Sequence, residues 1–194
     1  FRARQVLRWI YQAGESDFDA MSDLAVSLRE KLKQIACVQA PKVIREETAD
    51  DGTRKWLLDV GTGNAVETVF IPEEGRGTLC VSTQAGCPVG CPFCASGQLG
   101  LARNLEAHEI IEQYLFGRAQ GELARSVVMG IGEPLLNYAN LAAALDVVHD
   151  EIGLGARKIT VSTVGFPERL RRIAPTKPRF QLAISLHTPD DAQR

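Results

Sequence analysis

The chain has 194 residues, 45% hydrophobic and 24% charged, the balance of an ordinary globular protein, which excludes a disordered chain, a collagen or a small disulfide scaffold. Its 22 Lys and Arg against 24 Asp and Glu leave a formal net charge of −2, so the global basic excess of a nucleic-acid coat is excluded and any RNA contact has to be local. No run approaches the roughly 18 consecutive apolar residues of a membrane helix, and Phe1–Ile10 lacks a signal-peptide apolar core, which predicts a cytoplasmic protein with no membrane partner.

The chain opens on Phe1 and stops at Arg194 just after an apolar run, so it reads as a piece of a longer protein. From Ala3 to Leu32 the pattern is helical: Ala3, Val6, Leu7, Ile10 and Tyr11 recur at three and four, as do Leu24, Leu28, Leu32 and Ile35. Ser22 is a candidate cap for the second helix. Arg2, Arg4 and Arg8 fall off the first stripe, which is read as a solvated face. Residues 55–60 and 65–71 flank Gly61-Thr62-Gly63-Asn64 as a hairpin with a four-residue turn.

From Gly77 onward strands and helices alternate. The apolar runs 78–83, 126–131, 158–163 and 180–186 read as strands buried on both faces. Between them lie a helix marked by Ala107, Ile110, Ile111, Tyr114 and Leu115, with Asn104 as its cap, and another marked by Leu141, Ala144, Leu145 and Val148. Alternating units imply α/β architecture with a parallel sheet, open or curled into a barrel. The organisation is therefore a helical module at 1–50, a β-hairpin linker at 51–76 and an α/β unit at 77–194.

Cys87, Cys91 and Cys94 are separated by three and then two residues, a loop able to wrap a metal cluster. Three nearby thiolates fall short of the four protein ligands of a structural zinc site but suit a cubane with one iron left open to an amine and a carboxylate. The competing reading is a zinc knuckle completed by His108 or His187. Cys80 stands apart as a packing residue on this reading, and Cys37, on or just after a helix of the first module, as inert. Gly130-Ile131-Gly132-Glu133-Pro134 lacks the third glycine of a dinucleotide loop; it offers close backbone approach and a Glu133 carboxylate suited to an ammonium group. Ser162-Thr163 and Ser185-Leu186-His187 end two further strands. Each is weak alone, but all four motifs follow successive strands at one end, the end at which parallel α/β folds bind ligands.

The cysteine spacing with Phe93 before Cys94, together with residues 78–87, Gly97-Gln98-Leu99-Gly100, Arg103-Asn104-Leu105 and residues 129–137, resembles the radical S-adenosylmethionine RNA methyltransferases of the RlmN/Cfr family. The resemblance extends to Phe1-Arg2-Ala3 and residues 51–56. It implies a partial (βα)-barrel of radical SAM type with four of about six units present. It implies a 4Fe-4S cluster on Cys87, Cys91 and Cys94, and S-adenosyl-L-methionine bound by Gly132, Glu133, Ser162, Ser185, Leu186 and His187.

The implied reaction is methylation of carbon two of an adenine in 23S rRNA, and in some members of the adenine beside the tRNA anticodon. A deoxyadenosyl radical takes hydrogen from a methyl group carried on a cysteine outside this chain, and Glu67 and Cys80 serve as the base and second thiol that resolve the RNA adduct. The implied partners are RNA and an electron donor such as flavodoxin or ferredoxin, and the implied state is a monomer. Val164 stands where the family has serine after the threonine. The alternatives are another radical SAM enzyme acting on a small molecule or peptide, and a non-catalytic zinc-binding RNA module. Residues 157–179 carry seven basic residues, Arg157, Lys158, Arg169, Arg171, Arg172, Lys177 and Arg179, against Glu168 alone, and form the best candidate RNA patch, with a solvated helix face as the competing reading.

Overall fold

In the computed structural model, which describes residues 1–186, 188–190 and 192, helix α1 (Arg2–Leu7) runs into a π-helical turn at Arg8–Ala13 and is followed by α2 (Val26–Ile35). Phe18, Met21 and Leu24 form a small core against Val6, Trp9, Ile10, Leu28 and Leu32. Asp23 accepts from Arg8 Nη2 and Trp9 Nε1, each at 2.5 Å, so Arg8 ties the module together, while Arg2, Arg4 and Arg8 are all exposed. Ser22 does not cap α2: Ala25 holds the N-cap position without a side-chain bond.

The rest of the molecule is built on one seven-stranded sheet, in the order β1 (Val43–Thr48), β2 (Arg54–Asp59), β3 (Ala65–Glu73), β4 (Arg76–Cys80), β7 (Leu123–Val128), β8 (Ile159–Thr163) and β9 (Gln181–Ile184). Pairing is antiparallel from β1 to β4 and parallel from β4 to β9. The hairpin stands where the turn signal places it, but β3 pairs onward to β4. Residues 51–76 are therefore part of the barrel sheet and not a linker. Strand β1 escaped sequence reading because five of its six residues are exposed, which leaves no alternation to detect. A second small sheet pairs β5 (Gln84–Gly86) with β6 (Leu101–Asn104).

Helices α4 (Ala107–Arg118) and α5 (Tyr138–Val147) cover one face of the long sheet. There Trp56, Leu58, Val66, Leu79, Val128, Ile159 and Val161 pack against Ile110, Tyr114, Leu141 and Leu145. Strands expected to be buried on both faces alternate instead, buried then half-buried along β7 and β8, because helices cover only one side. Glu106, not Asn104, caps α4, in a capping box with Glu109; Asn104 is drawn away by Gln84, whose Nε2 donates to its Oδ1 at 2.7 Å.

Arg103 clamps this corner. It donates to both Glu109 oxygens, at 2.7 and 2.6 Å, and to the carbonyl of Val60. Buried His149 places its ring nitrogens 2.5 Å from the carbonyls of Leu154 and Arg179, anchoring the chain as it enters β9. Among the described residues no helix is long and apolar enough to cross a membrane.

Candidate cluster and cofactor site

The cysteine loop leaves β5 at Gly86 and returns through α3 (Ala95–Gln98) to β6. Gly86 has φ +77°, and a Cβ there would lie 1.9 Å from the Gly100 carbonyl oxygen, so only glycine fits. Cys87 N–H donates to Gly100 O at 3.0 Å, Cys94 N–H to Cys91 O at 3.0 Å, and Gln98 Nε2 to Pro92 O at 2.7 Å. The loop is thus pinned at its start, middle and end. All five cysteines are free thiols, and Cys87, Cys91 and Cys94 are half-buried.

Burial pushes the Cys87 thiol up. Cys91, Glu133 and Cys94 push the same way, against the Val89 N–H. The loop begins three residues after Gln84, whose Oε1 accepts from Glu133 N–H, so the cysteine loop and Glu133 adjoin. Among the described residues no three His, Cys, Asp or Glu side chains close on a single ion, as a zinc knuckle requires. Nor does His108 point to one: it is largely exposed and lies 3.4 Å from Glu106; His187 lies outside the described residues. A cubane differs, because each thiolate binds its own iron and the sulfurs need only ring a volume. The donor set, three thiols on one pinned, half-open loop, fits that demand.

Glu133 also has a structural part. It is 3% exposed, and its Oε1 accepts from Leu135 N–H at 3.0 Å and Thr163 Oγ1 at 2.5 Å while Oε2 accepts from Val164 N–H at 3.0 Å. The carboxylate expected to receive an ammonium group is thus committed to joining the loops after β7 and β8. Fully buried Gln84 holds the same loop from behind, its Oε1 accepting from Glu133 N–H at 2.7 Å. Gly132, at φ +108°, allows this approach, since a Cβ there would lie 2.6 Å from Gln84 Cβ. Sequence reasoning missed Gln84; the signal was a polar residue directly after an apolar strand.

Ser162 and Ser185 meet, Oγ to Oγ at 2.9 Å, and Ser185 N–H donates to Thr163 O at 2.8 Å. Leu186 follows, 46% exposed. Strand register brings Glu67 and Cys80 to the same side of the sheet as these serines. Cys80 pairs with Val69, two residues from Glu67, and with Val127; Val127 pairs with Thr160, two residues from Ser162; Ser162 pairs with Ala183, two residues from Ser185. Side chains alternate along a strand, so Glu67, Cys80, Ser162 and Ser185 share the face opposite α4 and α5. Glu67 lies 3.3 Å from Lys55 Nζ. Burial pushes the Cys80 thiol up and Glu67 adds to this, opposed by the Met129 N–H.

Residues 1–38 match the family model of the ribosomal RNA large subunit methyltransferase N-terminal domain, and residues 81–194 match that of the radical SAM superfamily. The chain is similar to the crystal structure of a radical SAM methyltransferase from Sphaerobacter thermophilus, with 40% identity and a TM-score of 0.89 over 100% of this chain and 59% of that one. The chain thus spans about three fifths of that relative. Radical SAM proteins use a 4Fe-4S cluster and S-adenosylmethionine, the two groups for which the cysteine loop and the neighbouring strand ends provide. On the fold, the thiol loop and the match over residues 81–194, the chain belongs to the radical SAM superfamily.

Proposed function

We propose that this chain holds a 4Fe-4S cluster on Cys87, Cys91 and Cys94 with S-adenosylmethionine beside it, in an enzyme that methylates carbon two of an adenine in 23S rRNA. The observation that carries the reading is the shared sheet face: Glu67, Cys80, Ser162 and Ser185 line one side, and the cysteine loop and Glu133 stand at its end. The match of residues 1–38 to an rRNA methyltransferase domain supports the choice of RNA. Adenine C2 lies between two ring nitrogens and is too electron-poor to attack a methyl cation donor.

The bound cluster supplies the electron that opens the sulfonium cofactor to radical chemistry. With the Glu133 carboxylate occupied, the Gly132–Glu133 segment offers its backbone carbonyls to the cofactor ammonium. The hydroxyls of Ser162 and Ser185 and the backbone of Leu186 bind its remaining polar groups, joined by His187 on the ground of resemblance alone. Burial keeps the Cys80 thiol protonated at neutral pH, so it acts only when its proton is taken. Glu67 accepts the proton that the RNA adduct loses, and deprotonated Cys80 Sγ forms a disulfide with the adduct-bearing cysteine outside this chain as the carbon–sulfur bond to RNA breaks, its electron pair passing to the carbon, which is then protonated to the methyl group. The protein works as a cytoplasmic monomer supplied by a flavodoxin- or ferredoxin-type donor.

Anaerobic reconstitution with iron and sulfide tests the site. About four irons per chain and a brown absorbance are expected, and both should vanish in Cys91→Ala; one colourless zinc per chain would overturn the cluster. Mass spectrometry of a 23S rRNA fragment treated with the reconstituted full-length protein tests the substrate: 2-methyladenosine is expected, and an unmodified or differently modified RNA would overturn the assignment.

A further inference from the structure

The basic residues between 157 and 179 do not form one patch. Arg157 and Lys158 precede β8, and Lys177 lies between α6 (Pro167–Ile173) and β9, so all three sit at the end of the sheet away from the cysteine loop. Arg171 is paired with Glu168, and Arg179 with Asp150 at 2.9 Å and Asp146 at 3.8 Å. Arg169 and Arg172 remain. They are exposed, stand one turn apart on α6, and make no hydrogen bond or ion pair with any described residue.

Both line a cavity of about 390 Å³, together with Asn104, Leu136, Tyr138 and Asn140. Among the described residues the Asn104 side chain bonds at Oδ1 alone, accepting from Gln84, with Nδ2 able to donate, and no acidic side chain of the described residues lines the cavity. Two guanidinium groups and an amide nitrogen, with no carboxylate among them, are a donor set for an anion of phosphate geometry.

Its position gives the anion a role. One wall is the 3-10 turn Pro134–Asn137 and the start of α5, which directly follow Glu133; the other is α6, which follows Val164. Glu133 ties these walls together through Leu135 N–H and Val164 N–H. The cavity therefore abuts the cofactor site through one buried side chain.

We propose that Arg169, Arg172 and Asn104 form a phosphodiester-binding subsite that grips the RNA backbone beside the nucleotide delivered to the site. This rests on the RNA reading above. Contacts of this kind position a strand without reading its sequence. Each phosphate neutralised on single-stranded RNA contributes about 0.7 to the slope of log affinity against log salt.

The test is equilibrium binding of the full-length protein to a fluorescein-labelled RNA hairpin with an unpaired adenine in its loop, from about 50 to 200 mM salt. Arg169→Gln/Arg172→Gln should weaken binding about tenfold at the low-salt end and flatten the slope by about 0.7. Arg169→Lys/Arg172→Lys should recover the slope, since the charges return, though not the full affinity, since the bidentate forks do not. Arg171→Gln and Lys158→Gln should stay within about twofold of wild type. Wild-type binding with an unchanged slope in the Gln double variant, or equal losses in Arg171→Gln and Lys158→Gln, would overturn the subsite alone. A wild-type protein with no affinity for the hairpin would overturn the RNA reading and the subsite with it.

Discussion

The two faces of the long sheet carry different work, although the same strands supply both. Along β3, Val66, Thr68 and Phe70 are buried against the helices while Glu67 and Val69 on the other side are half-buried; along β4, Leu79 is buried and its neighbour Cys80 is not fully so. One face is filled to constant density by apolar side chains, and a change there opens a cavity. The other holds a carboxylate, thiols and hydroxyls whose removal opens none. Stability and chemistry are thus separated by a single residue step along a strand.

Adjacent substitutions on β4 give the strongest test. Leu79 is fully buried, so Leu79→Ala should cost about 3–4 kcal/mol in denaturant unfolding. Cys80→Ala, the next residue, should cost about 1 kcal/mol or less and yet abolish product release from the RNA adduct. Equal destabilisation by the two changes would break the contrast between the faces.

A smaller effect is expected where polar groups carry structure. Arg103→Ala should cost about 2 kcal/mol, because Glu109 loses a bidentate partner at a site where its side chain is only 9% exposed. Burial pushes the Glu109 carboxyl up, but bonds from Arg103 and the Glu106 N–H outweigh it, so the net shift is below the ordinary 4.5. A carboxyl whose folded value is depressed stabilises the fold above its unfolded value and loses that contribution as pH falls through the folded one. Wild type should therefore lose stability on acidification below about pH 4.5, and Arg103→Ala should show a shallower acid limb in pH-dependent thermal melts.

The smallest stability effect belongs to the functional face. Glu67→Gln removes an ion pair whose partners are 41% and 44% exposed, so its cost should be about 0.5 kcal/mol or less, while RNA methylation by the full-length protein should fall by about 100-fold or more if Glu67 is the base. A sharpened comparison would come from a melting curve unchanged in this variant; a large drop in melting temperature would move Glu67 to the structural side.

Much of this was legible in the residues. Thr78–Thr83, Ser126–Ile131 and the later apolar runs announced their strands, although β4 and β7 begin two to three residues earlier and end three residues earlier than their runs, because the apolar run extends past the last ladder bond into the loop. The turn at Gly61–Asn64 and the thiol spacing at Cys87–Cys94 are local signals and needed no tertiary information. Strand β1 and the caps at Ala25 and Glu106 were not legible: an exposed edge strand has no apolar period, Asn104 fits a local rule that Gln84 from elsewhere in the chain overrode, and the N-cap of α2, Ala25, falls three residues after Ser22.

By itself, then, the sequence determined the order of the apolar strands and the helices that cover them, the number and spacing of the thiols, and the motifs that close successive strands, because each depends on contacts within a few residues. Only the tertiary structure decided which sheet face each strand-borne side chain takes, that the Glu133 carboxylate is occupied by Leu135, Thr163 and Val164, and that two of seven basic residues line a cavity beside the site. Those outcomes depend on register and on groups far apart in the chain, 31 positions for Glu133 and Val164. No local pattern encodes them, since the free energy of a buried charge or an unpaired guanidinium is set by whatever the rest of the fold brings within bonding distance.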